Sequence, residues 1–265
     1  MRIRAAFLSA KFSLESLEKQ LSHFIEMAPR FYVDSNFQSG STIVLPEKPA
    51  HHASRVLRMR EGDAAVLFDG KGLEAQAVMH FFADRTEAEI IAVQKSQTES
   101  PLQTTLIQSL VSQEKLDWIL EKSTELGVSK IVIVPAARSV TKLDEKRLEK
   151  RLAQWKNTVL SACEQCGRSV LPEVIYCSKL ENALKEHKSE LNYVLAPAAQ
   201  NRLPQEKSTS ITFAVGPEGG FSEEEIVLAN EIDYKSALLG PRVLRTETAG
   251  LVVLTAAQCI MGDLL

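Results

Sequence analysis

Ile211-Thr-Phe-Ala-Val-Gly-Pro-Glu-Gly-Gly-Phe221 and, after a short helical stretch, Leu238-Leu-Gly-Pro-Arg-Val-Leu-Arg-Thr-Glu-Thr248 decide how this chain is read. Each is an apolar run that breaks into a glycine-containing loop and then enters a helix. Ile211 to Val215 is short and rich in branched residues, as a strand buried on both faces should be. Ser222 followed by Glu225 fits a capping box, so a helix starts there. Gly216, Gly219 and Gly220 allow the backbone to approach a ligand closely. Pro217 stiffens the turn, and Glu218 is the loop's only charged side chain. No Gly-Lys-Ser/Thr follows, which excludes a P-loop, and the glycines lack the G-x-G-x-x-G spacing of a dinucleotide site. Alone, the first loop reads equally as a tight strand-to-helix turn. The second shifts the balance, because Arg242, Arg245, Thr246 and Glu247 cluster just before an apolar helix. In an open α/β sheet, ligands bind at the carboxyl ends of the strands. The two loops therefore read as two walls of one pocket.

Working back from these loops, apolar runs alternate with helical patterns from Thr104 onward. Strands are predicted at Thr104–Val111, Lys130–Val134, Pro172–Cys177 and Leu191–Ala196. Helices are predicted at Glu114–Leu126, closed by Gly127, at Asp144–Gln165, ending near Gly167, and at Leu180–His187. This alternation implies a mainly parallel sheet covered on both faces. Glu247–Leu264 is apolar all round, so burial is expected, part in the core and part at a subunit interface.

The preceding segment differs in kind. Phe31–Val33, Thr42–Leu45, Ala64–Phe68, Leu73–Met79 and Ala88–Val93 read as short strands, with Asp69-Gly-Lys-Gly72 as a hairpin turn. Pro46–Arg58 reads as one helix. This pattern predicts a small β-barrel over residues 28–98. Ser96-Gln-Thr-Glu-Ser-Pro101 is the candidate linker, and residues 102–265 form the α/β module. His51, His52, Arg55, Arg58 and Arg60 make a basic cluster, with His51, Arg55 and Arg58 expected on one helix face. From the cluster alone, a solvated helix face is the simpler reading.

The chain has 265 residues, 45% hydrophobic and 25% charged, with a formal net charge of −3. That balance argues against coating nucleic acid by bulk charge and leaves room for a local basic patch. Four cysteines in this length suggest reduced thiols in a cytosolic protein. Cys163 and Cys166 form a C-x-x-C, but no second ligand pair lies nearby, so structural thiols and no metal are expected. Residues 1–27 read as an extension, with leucines at helical spacing and no proper signal-peptide core; Met27 is the expected natural start.

Gly216-Pro-Glu-Gly-Gly-Phe-Ser222 and Leu239-Gly-Pro-Arg-Val-Leu-Arg-Thr-Glu-Thr-Ala249 together resemble the signature of the RsmE family. Its members are 16S ribosomal RNA uridine-N3 methyltransferases of the SPOUT superfamily. Glu121-Lys-Ser-Thr-Glu-Leu-Gly-Val128 and Glu164-Gln-Cys-Gly-Arg168 also match, in order, and the likeness runs from about Pro29 to the C-terminus. The resemblance implies a PUA-like RNA-binding barrel followed by a SPOUT domain with a deep trefoil knot. The knot would involve the loops near Ala196, Gly216 and Gly240. It also implies a cytoplasmic homodimer, S-adenosylmethionine as methyl donor, and 16S rRNA or the small ribosomal subunit as partner.

The resemblance also directs the site assignments. Leu195, Gly216, Pro217, Glu218, Gly219, Gly220, Leu239, Gly240, Leu244 and Thr246 would form the donor pocket. Arg245, as a cation beside the uracil oxygens, Glu247, as acceptor of the N3 proton, and Arg168 would serve catalysis. His51, His52, Arg55, Arg58, Arg60, Arg138 and Arg242 would contact RNA. Methylation at a ribose 2′-O or at guanine N1, or a non-catalytic assembly factor, are the competing readings.

Overall fold

The computed structural model describes residues 28–199 and 207–265, with the side chain of Glu145 left aside. The predicted extension and the proposed start at Met27 lie outside the described residues. The chain divides into two compact units, the first ending at Ser96 and the second beginning at Gln97.

The first unit is built on one five-stranded sheet. Its strands are β1 (Arg30–Tyr32), β2 (Thr42–Val44), β3 (Ala64–Phe68), β4 (Leu73–Phe81) and β5 (Thr86–Lys95), in the order β1-β3-β4-β5-β2. β1 pairs with β3 in parallel and the other pairs are antiparallel. The predicted turn at residues 69–72 joins β3 to β4, and Asp69 accepts backbone hydrogen bonds from Lys71 and Leu73 there. The alternating inward residues Phe31, Ala65, Leu67, Ala75, Ala77, Met79, Ala88 and Ile90 form the core.

The expected helix over Pro46–Arg58 is corrected in its geometry. It begins as α1 (Glu47–His51), then widens into a π-helical turn at His52–Val56. Leu57 N–H donates to the carbonyl of His52, and Met59 N–H reaches back to that of Ala53. Arg58 follows with a φ of 54°, a left-handed conformation that side chains with a Cβ rarely adopt. The 3.6-residue period therefore fails before Arg58, and His51, Arg55 and Arg58 do not share the single α-helical face that spacing predicts.

The second unit is a six-stranded sheet with every pairing parallel: β6 (Gln103–Ser109), β7 (Lys130–Val134), β8 (Glu173–Tyr176), β9 (Leu191–Leu195), β10 (Ser210–Val215) and β11 (Lys235–Ala237). The order is β11-β9-β10-β6-β7-β8. The chain starts at β6, builds outward through β7 and β8, then crosses to build the other side. This reversal puts a topological switch point between β6 and β10, where α/β folds open a crevice at the strands' carboxyl ends.

The helices are α2 (Gln113–Glu125), α3 (Glu145–Cys166), α4 (Leu180–Glu186), α5 (Glu223–Glu231) and α6 (Thr246–Met261). α2 buries Leu116, Ile119, Leu120, Ser123 and Thr124, one face at helical spacing. Asp144 caps α3 by accepting from Lys146 N–H, and Gly167, at φ 87°, ends it in the left-handed conformation that glycine adopts without strain. At the start of α5, Ser222 and Glu225 exchange both hydrogen bonds of the capping box. α6 packs on α2, β6 and β10 through Ala249, Gly250, Val253, Leu254 and Ala257. Its core face is buried as expected, and Val252 and Ile260 on the remaining face are exposed in the single chain.

The stretch expected to be a linker is anchored to the second unit from Gln97 on. Glu99 accepts from the Arg168 guanidinium and from the backbone N–H of Ser169 and Val170. Ser100 donates to Gln258 in α6.

Candidate active site

At the carboxyl ends of β9, β10 and β11 the second unit opens a cavity of about 370 Å³. That volume lies within the range of small-molecule and cofactor sites. Its walls are the two loops singled out in the sequence. All ten residues expected to bind the donor line it: Leu195, Gly216, Pro217, Glu218, Gly219, Gly220, Leu239, Gly240, Leu244 and Thr246. Arg138 and Arg242, expected on RNA, line it as well.

Backbone geometry explains the first loop. A Cβ on Gly216 would stand 2.7 Å from Phe221 N and 2.9 Å from the Gly220 carbonyl carbon, closer than such contacts occur. Only glycine lets β10 fold back so tightly against its own loop. Arg138 braces the outer side by donating to the Gly219 carbonyl at 3.0 Å. Glu225 accepts from Ala137 N–H as well as from Ser222 N–H, so the capping box also ties the loop after β7 to this wall.

The second loop is fixed to the first by one buried hydroxyl. Thr246, in the first turn of α6, donates to the Gly216 carbonyl at 2.6 Å and accepts from Gln108 Nε2 at 3.0 Å. Gln108 is fully buried at the end of β6. The switch-point strand, the first loop and the last helix thus meet at a single side chain. Sequence reading missed Gln108, which nothing in the mixed polar run Gln103-Thr-Thr-Leu-Ile-Gln-Ser109 sets apart.

Arg245 and Glu247 flank Thr246. The Arg245 side chain is 83% exposed and that of Glu247 only 17%. Arg245 Nη1 lies 3.9 Å from Glu247 Oε1. Lys115, in the first turn of α2, was also missed. Its Nζ donates to Glu218 at 2.7 Å and stands 4.0 Å from Glu247 Oε2. The Lys115 hydrogen bond holds the Glu218 carboxyl below its usual range, and the same bond raises the Lys115 ammonium. The site therefore sets Glu218, Glu247, Lys115 and Arg245 beside a cavity lined mainly by aliphatic residues and loop backbone, with Arg138 and Arg242 also on its wall.

Arg168 is not brought to this site within the chain. It is buried beyond the amino ends of the strands, where it donates to the carbonyls of Thr124 and Val128 and pairs with Glu99 at 2.8 Å. Five donors on a rigid fork suit this bracing of a loop and a helix end. Cys163 is buried and Cys166 half-buried, neither in a disulfide, and burial pushes the Cys166 thiol up, away from reactivity. Away from the cavity, ligand atoms of Cys177, Glu186 and His187 lie within 4.8 Å of one another.

In the first unit, His51, Arg55, Arg58 and Arg60 are exposed. His52 is half-buried, its ring edge-on to Phe31 at 5.8 Å between centroids. Val56 and Leu57 are exposed among these cations.

The chain resembles known proteins both in sequence and in fold. Residues 98–258 match the family of RNA methyltransferase domains, and residues 45–79 match the RNA methyltransferase PUA domain. Ribosomal RNA small subunit methyltransferase E of Bacillus subtilis is 32% identical over 91% of this chain and 98% of its own length. The same-named enzyme of Neisseria gonorrhoeae, solved bound to S-adenosyl methionine, superposes with a TM-score of 0.84. It is 39% identical, over 90% of this chain and 100% of that one. A Legionella pneumophila methyltransferase solved with bound SAM gives a TM-score of 0.85 at 34% identity, over 89% of this chain and 99% of that one.

Proposed function

This chain belongs to the ribosomal RNA small subunit methyltransferase E family of SAM-dependent RNA methyltransferases, and on that premise we propose that it methylates N3 of one uridine in 16S rRNA. The observation that carries the reading is the meeting of Gly216, Thr246 and Gln108 beside the cavity. It joins a donor-sized pocket to the Arg245–Glu247 pair in one rigid unit.

The residues present fit a donor of this kind. Leu195, Leu239 and Leu244 offer aliphatic surface for an adenine ring, and the cradle at Gly216 has no room for a side chain. Backbone groups of residues 216–220 and 239–240 supply hydrogen bonds without competing charge. Bound S-adenosylmethionine supplies an electrophilic methyl group on a sulfonium. The protein's work is then to hold the uracil nitrogen in line and to remove its proton. Glu247, largely shielded and at the head of α6, is our choice to accept that proton. Exposed Arg245 is free to turn onto the uracil oxygens and to stabilise the imide charge that develops. Arg138 is held by Gly219, so its role is shaping the loop as much as contacting RNA; Arg242 remains exposed for phosphate. Arg55, Arg58 and Arg60, with His51, are our choices for RNA contact in the first unit, and Arg168 for bracing the fold.

The same family reading takes the chain after β10 as threaded into a trefoil knot. It takes the protein as a cytoplasmic homodimer that uses the exposed apolar face of α6. Among the described residues, no helix is long and apolar enough to cross a membrane. The test is direct. Purified protein, S-adenosylmethionine and unmodified 16S rRNA or small subunits are incubated, and the nucleosides are resolved by mass. We expect 3-methyluridine; 2′-O-methylated nucleosides or 1-methylguanosine in its place would overturn the assignment.

A further inference from the structure

Sequence motifs drew attention to Arg245 and Glu247, yet Lys115 is the cation that reaches both carboxylates of the site. It stands 2.7 Å from Glu218 in the first loop and 4.0 Å from Glu247 in the second. Glu247 Oε2 is closed off from solvent and accepts no hydrogen bond among the described residues. A shielded carboxylate oxygen without a donor is costly, and Lys115 is the cation facing it. Its backbone belongs to α2, which packs on α6, so the ammonium is carried on a rigid element.

We propose that Lys115 is a positioning residue for methyl transfer: it holds Glu218 and Glu247 in place and cancels one negative charge at the donor cavity. The inference rests on the methyltransferase reading above. Its chemical sense lies in the charge change of the reaction. A sulfonium donor is positive and its thioether product is neutral, so positive charge leaves the sulfur as the methyl group departs. Lys115, Arg245, Glu218 and Glu247 sum to zero formal charge, and Arg138 and Arg242 on the cavity wall add positive charge. Loss of Lys115 makes these surroundings one unit more negative. That change stabilises the sulfonium before reaction more than in the transition state, which slows transfer.

The test measures, by calorimetry, the affinities of S-adenosylmethionine and S-adenosylhomocysteine for the wild-type protein and for Lys115→Met, Lys115→Arg and Glu218→Gln, together with kcat and KM. We expect Lys115→Met to raise the donor-to-product affinity ratio roughly tenfold, the effect of one extra charge at short range. Its kcat should fall while KM for the donor stays level or drops. Glu218→Gln removes the opposite charge and should move the ratio the other way. Lys115→Arg should restore most of the wild-type behaviour. If both charge variants change the two affinities by a common factor, or not at all, Lys115 is only structural and the inference is overturned. Failure of the wild-type protein to bind the donor would instead overturn the methyltransferase reading, and this inference with it.

Discussion

At the scale of single residues, Thr246 joins the site together. Its hydroxyl both donates to Gly216 and accepts from Gln108, and the residue is buried. Thr246→Val keeps the shape and removes both bonds. We expect ~1–3 kcal/mol lower stability in denaturant titration, the usual cost of leaving buried polar groups unpaired. Donor affinity should weaken on the order of tenfold as the two loops lose register. An unchanged affinity would mean that the loops are held by packing alone. Arg168 poses the opposite case. The motif around it resembles a functional string, yet its guanidinium is spent on Glu99 and two carbonyls at the far end of the sheet. Arg168→Ala should cost about 3 kcal/mol, because Glu99 then keeps only its two backbone donors and no countercharge, and the Thr124 and Val128 carbonyls lose a donor. Turnover per folded molecule should stay near that of the wild type. A collapse of kcat with the Tm unchanged would return Arg168 to the chemistry.

At the scale of elements, legibility followed how local the cause is. The capping box at Ser222, the left-handed stop at Gly167 and the turn at residues 69–72 depend on neighbours in sequence, and the structure has each where its residues placed it. The π-helical turn after His51 was not legible. Nothing in the Pro46–Arg58 string announces a switch from i+4 to i+5 hydrogen bonding, and Arg58 takes a conformation expected of glycine. The pocket was legible because strand ends and glycine loops mark a crevice in an α/β sheet; the ten residues named for it came from the family resemblance, and all of them line the cavity. Lys115 and Gln108 were not, because they lie more than a hundred positions from the loops they touch. α6 has one face packed in the core and an apolar face in the open, the face assigned from the sequence to a subunit interface. Val252 is 38% exposed and Ile260 42%, with Leu251, Ala256 and Cys259 half-buried around them. If this face joins two copies, light scattering on the wild-type protein should give twice the 29.3 kDa chain mass. Val252→Asp, which has room to fold, should give the single-chain mass. A wild-type monomer would remove α6 as an interface.

At the scale of the molecule, two units of different architecture share one chain. The first is a strand-rich unit with exposed cations among apolar side chains; the second is a parallel α/β unit with the cavity at its strands' carboxyl ends. A net charge of −3 leaves binding to rest on local patches, as suits an enzyme that must release its RNA. The reaction itself is tested by the nucleoside mass spectrum of 16S rRNA from cells with and without this gene. We expect 3-methyluridine to disappear without the gene. It should return with the wild-type gene, and not with Arg245→Ala expressed as a folded protein. An unchanged 3-methyluridine peak in cells lacking the gene would rule out uridine-N3 methylation as this enzyme's reaction.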